Sequence, residues 1–245
     1  MKKTNLAIIT ARGGSKRIPR KNIKLFLGKP IIQYSIDAAI NSGCFDEVMV
    51  STDDQEIADL AISLGAKIPF KRSEKTSNDF ATTVDVIKEV IESYEQLGEN
   101  FDTFCCIYPT APFVTADKLI SAFDILKLSG ADSVLPVTAF SFPILRSLKI
   151  ENEKVAFNWP EYMNTRSQDL ASAYHDCGQF YLMKTDKFKE KGKLFTDYTC
   201  PIIIPEAEVQ DIDNEEDWKV AEIKYFIFSN KNLKIDELLQ RVSSN

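Results

Sequence analysis

The stretch 6–27, LAIITARGGSKRIPRKNIKLFL, limits what this chain can fold into more than any other. Leu6, Ala7, Ile8 and Ile9 form an apolar run of strand length, and its branched residues mark it as a buried strand. The run breaks at Ala11-Arg12-Gly13-Gly14-Ser15-Lys16-Arg17, where adjacent glycines open backbone conformations closed to other residues and let N–H groups approach a ligand. Arg12, Lys16, Arg17, Arg20, Lys21 and Lys24 surround the turn. A strand feeding a glycine turn rich in cations is how a backbone cradle for a polyphosphate is built. An isolated charge run would be a solvated loop. Here the charges follow a buried strand, at the end where open α/β sheets bind ligands, which favours the phosphate reading.

Two familiar phosphate motifs are absent. Gly28-Lys29 is followed by Pro30, so there is no G-x-x-x-x-G-K-[ST], and no G-x-G-x-x-G occurs. The chain of 245 residues is acidic, with a net charge of −6, which excludes bulk nucleic-acid binding. Yet no acidic residue precedes Asp37, while nine lysines and arginines do. Such asymmetry suggests one small anionic ligand held at one place. No apolar segment approaches membrane-spanning length, and the run after Lys2 and Lys3 is too short for a signal peptide. Five cysteines without C-x-x-C spacing read as reduced core thiols of a cytoplasmic protein.

Hydrophobic periodicity predicts helices over 31–42, up to Leu64, through Val84, Ile87, Ile91 and Tyr94, over 116–129 and over 215–228, with strands over 47–51, 66–69, 104–108, 132–139, 178–183, 201–204 and 209–213. Gly43 stops the first helix, Asp53 or Asp54 suits capping of the second, Thr82 or Thr83 of the third and Asn214 of the last. Strand and helix alternate as in βαβ units, so the expected class is α/β with a mostly parallel, doubly wound, Rossmann-like sheet. Residues 70–79 read as a polar loop, and Pro136 predicts a bent or bulged strand. The rhythm fails after Ala139. Pro143 and Pro160, the aromatics Phe140, Phe142, Phe157, Trp159 and Tyr162, and the alternating LKIENEKVAF suggest a β-hairpin projection over 140–175. The expected division is 1–139 with 176–230 as a nucleotide-binding domain, 140–175 as a protruding dimerisation segment, and 231–245 as a tail or short helix at 235–242.

Asp211-x-Asp213, leaving a strand toward a helix, offers two carboxylates to a hard divalent cation such as Mg²⁺. Alone the pattern is weak, because acidic pairs near turns are common. Beside a cationic glycine loop it gains weight, since nucleotidyl transfer uses both. His175, the only histidine, has no G-x-S-x-G partner and is divided evenly between a structural role and substrate contact. Arg146 and Arg166 lie in the projection; an arginine there is ordinarily solvated, but it can also clamp a carboxylate. Aromatics that a thin projection cannot bury predict packing against a second copy, most simply through two-fold symmetry. Arg72, Asp79, Thr82 and Tyr108-Pro109-Thr110 stand at strand C-terminal ends and share the crevice.

ARGGSKRIPRKNIK with GKP following, STDD, YPTAPF and DID-x-x-x-D-W together resemble the CMP–sialic acid synthetase family of cytidylyltransferases. FPILRSL, NTRSQDL and AYHDCGQFY resemble its pseudaminic acid branch, and the match runs in order from residue 6 to about 222. The resemblance implies a nucleotidyltransferase-type sheet and transfer of CMP from CTP to the anomeric hydroxyl of a nine-carbon 2-keto sugar acid. It also implies that Arg12, Gly14, Ser15, Lys16, Lys21 and Asn22 hold the triphosphate, with Lys21 and Arg12 stabilising the charge of the reaction. Arg72, Asp79, Ala81 and Thr82 would surround cytosine and ribose, and Asp211 and Asp213 would bind Mg²⁺. A homodimer would bring Arg146 and Arg166 to the partner's sugar acid, beside Tyr108, His175 and Gln179. Bacterial sialic acid synthetases show Gln-Pro-Thr-Ser-Pro-Leu-Arg where this chain has Tyr108-Pro109-Thr110-Ala111-Pro112-Phe113-Val114. Tyrosine in place of glutamine suits a more deoxygenated sugar such as pseudaminic acid. Activation of sialic acid or another nonulosonic acid, a metal-dependent glycosyltransferase, and a non-catalytic nucleotide-binding module are the alternatives.

Overall fold

In a computed structural model that describes residues 4–230, the buried run after Thr4 is an inner strand of the main sheet, paired on both sides. In chain order the strands are β1 (Asn5–Thr10), β2 (Leu25–Phe26), β3 (Lys29–Pro30), β4 (Glu47–Ser51), β5 (Thr103–Ile107) and β6 (Ser133–Ala139), then β7 (Leu148–Glu151), β8 (Lys154–Phe157), β9 (Tyr174–Asp176), β10 (Phe180–Lys184) and β11 (Thr199–Ile203). The helices are α1 (Ile31–Ser42), α2 (Gln55–Ser63), α3 (Glu74–Ser77), α4 (Thr83–Gln96), α5 (Ala116–Ser129), α6 (Thr185–Lys191) and α7 (Glu215–Ser229). The main sheet has the order β11-β6-β10-β5-β1-β4, with β9 added along β6.

β1 pairs in parallel with both β4 and β5, and β11 in parallel with β6. Side chains alternate across β1. Ala7 and Ile9 face the core beneath α1 and α5, while Leu6 and Ile8 face the core against α4 and Phe188 of α6. A strand buried on both faces reads as a continuous apolar run, and so the sequence shows it. Caps fall where the polar residues allow. Asp54 accepts from the Ile57 N–H at the start of α2, and Thr82 with Asp85 forms a capping box on α4. Asn214 and Asp217 do the same for α7, and Gly43 ends α1 in the left-handed region, at φ 63.

A third core places the functional loops. Ile18 from the glycine-rich segment, Phe26, Ile31 and Phe113 pack with Ile212, Trp218 and Ala221 from the far end of the chain. Burying Ile212 fixes the acidic residues on either side of it against the cationic loop.

Several expectations are corrected. β10 runs antiparallel to β5 and β6, so residues 175–179 enter at the edge where β1, β5 and β6 end. Residues 66–69 form no strand, only a single bridge between Met49 and Lys67. The polar loop 70–79 contains the short helix α3. Residues 209–213 do not form a strand; they follow a 3-10 turn at Glu206–Glu208 and run irregularly into α7. At Pro136 the strand is unbroken, but its neighbour changes from β10 to β9, where a residue lacking an N–H cannot sustain the ladder. The projection 140–175 carries the detached β7–β8 hairpin and short 3-10 turns before β9 rejoins the sheet. The short helix expected at 235–242 lies outside the described residues.

Candidate active site

Two cavities open along the carboxyl edge of the sheet. The first, of about 300 Å³, is lined by Arg12, Lys16, Lys21, Arg72, Tyr108 and Asp213 among others. Ser15, Asn22, Asp79, Ala81 and Thr82 also line it, so most of the residues expected to hold a nucleotide converge. Gly14 is exposed and stands outside that lining.

The glycines work differently from the expectation. Neither Gly13 nor Gly14 has a positive φ. Gly13 is needed for space, because a Cβ there would sit 2.6 Å from Asp54 Oδ2. Its N–H donates to Asp53 Oδ1 at 3.0 Å, and the Ser15 N–H to the Gly13 carbonyl at 3.0 Å. Two amides of the loop are therefore already bonded within the protein, one to Asp53 and one to the loop itself, and the cations dominate the cradle. Arg20 anchors it by pairing with both Asp54 oxygens at 2.6 and 2.9 Å, which holds that carboxyl down at about 2.

Arg12, Lys16 and Arg17 are ion-paired across the cavity mouth. Arg12 reaches Asp79 Oδ1 at 2.7 Å and Lys16 pairs with the other Asp79 oxygen, so Asp79 fills the place an anionic ligand would take. Arg17 lies 2.6 Å from Asp213 Oδ1. Lys21 is half-buried and donates to the Ile212 carbonyl at 2.7 Å. Burial lowers its pKa, while Asp213 and Asp211 pull it back up. Buried Arg72 donates to Ser51 Oγ and to the Ser51 carbonyl at 3.0 and 2.7 Å, and desolvation lowers it to about 10. Asn22 is buried with its Nδ2 donating to the Arg12 carbonyl at 2.9 Å, which braces the loop.

The second cavity, of about 540 Å³, holds Tyr108, Thr138, His175, Asp176, Asp211 and Lys224 in its lining. Tyr108 belongs to both cavities and forms their common wall. Its hydroxyl is 3.2 Å from Thr83 Oγ1 and its ring meets Tyr181 edge-on at 5.7 Å; burial raises its pKa. Tyr181 in turn donates to Asp176 Oδ2 at 2.5 Å. The D-x-D pair straddles this wall, with Asp213 in the first cavity and Asp211 in the second. Burial, then the charge of Asp213, raises the Asp211 carboxyl.

The family description "Cytidylyltransferase" matches residues 6–192. The chain is a member of the cytidylyltransferase family. A pseudaminic acid cytidylyltransferase of Campylobacter jejuni is 42% identical over 222 residues, covering 90% of this chain and 96% of that one. A CMP-N,N'-diacetyllegionaminic acid synthase of Legionella pneumophila is 33% identical, covering 89% and 94%. Among solved structures, a CMP:2-keto-3-deoxy-manno-octonic acid synthetase bound to CTP superimposes with a TM-score of 0.63 at 15% identity, covering 92% of this chain and 99% of that one. That likeness speaks to the fold alone.

In this cytidylyltransferase not every expected residue lines a cavity. Gln179 is buried beneath, with Nε2 donating to the Glu208 carbonyl at 2.8 Å, and braces the loop before Asp211. His175 does line the second cavity, its Nδ1 2.9 Å from the Asp176 carbonyl oxygen. Arg146 donates to Ser167 Oγ at 3.2 Å and Arg166 to Asp169 at 2.7 Å, both within the projection and away from either cavity of their own chain. Thr138, Asp176, Tyr181 and Lys224 escaped the sequence reading. Asp176 and Tyr181 reach the site only through antiparallel pairing, Thr138 closes the carboxyl end of β6, and Lys224 is a helix lysine that nothing nearby in the sequence marks out.

Proposed function

We propose that this cytidylyltransferase transfers CMP from CTP to the anomeric hydroxyl of a nonulosonic acid, pseudaminic acid fitting best, with release of pyrophosphate. The observation that carries the reading is the pair of cavities divided by Tyr108 and straddled by Asp211 and Asp213. The cationic cavity takes the nucleotide and the second takes the sugar acid, so the reacting groups meet at the wall. Arg12, Lys16 and Lys21 bind the triphosphate and neutralise charge on the α-phosphate and the departing pyrophosphate. The hydroxyl oxygen bonds to the α-phosphorus, the bond to the bridging oxygen breaks, and the hydroxyl proton is released. Holding both reactants in adjoining cavities supplies the orientation that the displacement needs.

The donor set fits magnesium. Two nearby carboxylates whose mutual repulsion and burial raise Asp211 gain from a shared hard cation. Asp211 and Asp213 would hold it, and it would supply positive charge at the transferred phosphate. A homodimer is the second part of the proposal. Phe142, Ile150 and Val155 of the projection are 85%, 77% and 63% exposed, more apolar surface than a lone hairpin should leave to water. A partner covering them would also bring Arg146 and Arg166 toward a second subunit. The 42% identical Campylobacter jejuni relative and Tyr108 at the sugar wall support pseudaminic acid.

Mixing the protein with CTP, Mg²⁺ and a panel of 2-keto sugar acids tests the reaction. Pyrophosphate release greatest with pseudaminic acid is expected, and none with any acid would overturn it. A monomeric mass by light scattering would overturn the dimer.

A further inference from the structure

The acceptor cavity poses an electrostatic problem. Its lining includes the carboxylates of Asp176, Glu206 and Asp211, yet on the proposed function it must admit a sugar that is itself a carboxylate. Asp176 is satisfied by the Tyr181 hydroxyl and the Gly178 N–H, and Glu206 Oε1 accepts from Ser141, but neither contact cancels a charge. Like charges brought together in a partly desolvated site repel strongly, so the incoming carboxylate needs a cation.

Lys224 is the one lysine or arginine among the described residues lining that cavity. It projects from α7, half-buried, and donates to the Val209 carbonyl at 2.8 Å, with the Glu206 carbonyl at a looser 3.5 Å. Carbonyls carry no formal charge, so these contacts orient the ammonium without neutralising it. Among the described residues no carboxylate lies within ion-pair distance of Lys224. An ammonium has three donors. With two directed at the loop, one remains for the cavity.

We propose that Lys224 is the cation of this chain that receives the carboxylate of the sugar acid. The inference rests on the proposed function, in that it takes the second cavity as the acceptor site. The contact also places the substrate beside Asp211, because the carbonyls that orient Lys224 belong to the loop leading into that residue. The carboxylate and the anomeric hydroxyl are borne on one carbon of the sugar acid, so docking the carboxylate beside Asp211 also fixes where the hydroxyl points. Arginines from a partner subunit can add to this cation but are not needed for it.

The test pairs a protein change with a substrate change. Pyrophosphate release is measured for the unmodified protein, Lys224→Met and Lys224→Arg, each with the sugar acid and with its methyl ester. A charge-assisted hydrogen bond to the carboxylate implies that Lys224→Met raises KM for the acid by about tenfold or more, with KM for CTP and Tm little changed. The preference for acid over ester should collapse toward one in Lys224→Met and be largely kept in Lys224→Arg. A purely structural lysine would change both substrates alike, so an unchanged acid-over-ester preference in Lys224→Met overturns the assignment. Failure of the unmodified protein to release pyrophosphate with any nonulosonic acid overturns the proposed reaction, and this role with it.

Discussion

Arg17 and Asp213, 196 residues apart in the chain, lie 2.6 Å from each other across the mouth of the cationic cavity. The pair is more than half exposed on the arginine side, so it adds little stability. Its value is positional. It shows that the cationic loop and Asp213, distant in the chain, meet at one opening, held there by the burial of Ile18 with Ile212.

Lys21 sits between those elements, half-buried, against the Ile212 carbonyl. Because burial already disfavours its charged form, removing the charge costs the fold little. Lys21→Ala should reduce turnover by roughly 10²- to 10³-fold, as for loss of a donor that stabilises developing charge. Thermal unfolding without nucleotide should be nearly unchanged. Normal pyrophosphate release in this variant would remove Lys21 from the catalytic set.

Asp211 carries a carboxyl raised by burial and by Asp213. A carboxylate whose pKa is raised on folding contributes a penalty once pH exceeds its folded value, so at neutral pH the charge works against the fold. Asp211→Asn should therefore match or exceed the parent in Tm while losing most pyrophosphate release. A lower Tm with full activity would contradict both roles.

Gly13 and Gly14 are adjacent but unequal. Gly13→Ala drives a Cβ to 2.6 Å from an Asp54 carboxylate that Arg20 and the start of α2 hold in place. Overpacking of this kind costs about 1–3 kcal/mol. Gly14→Ala meets nothing within 4 Å and should unfold like the parent. Denaturant titration of the two variants distinguishes them.

The Asp54–Arg20 pair predicts an acid limb. With its carboxyl held at about 2, Asp54 stabilises the fold above the ordinary carboxylate range, and that contribution is lost as pH falls from about 4 toward 2. Asp54→Asn keeps an N-cap acceptor but loses the ion pair. It should cost on the order of 1 kcal/mol at neutral pH and flatten the stability profile between about pH 4 and 2. Urea titrations across that range measure both.

Tyr108 divides the cavities, so Tyr108→Ala should merge them. KM for the sugar acid should rise about tenfold or more, as for loss of a buried aromatic contact, with a smaller effect on CTP. Equal changes in both would place the tyrosine outside the acceptor site.

The sequence by itself determined the layered α/β class, the helix start at Asn214 and, to within a neighbouring residue, those at Asp54 and Thr82, and the presence of a cationic loop and an acidic pair. These are local properties: an apolar run, a capping side chain or a charge cluster carries its meaning within a few residues. Only the tertiary structure decided what the features do together. Parallel and antiparallel strands share one alternation of side chains, so the reversed run of β9 and β10, which brings His175 and Asp176 of β9 to the crevice, leaves no mark in the pattern. The burial of Ile212 beside Ile18, the close approach of Gly13 to Asp54 and the place of Lys224 in the lining of the second cavity each depend on residues far apart in the chain. Their contacts exist only once the core has closed around them.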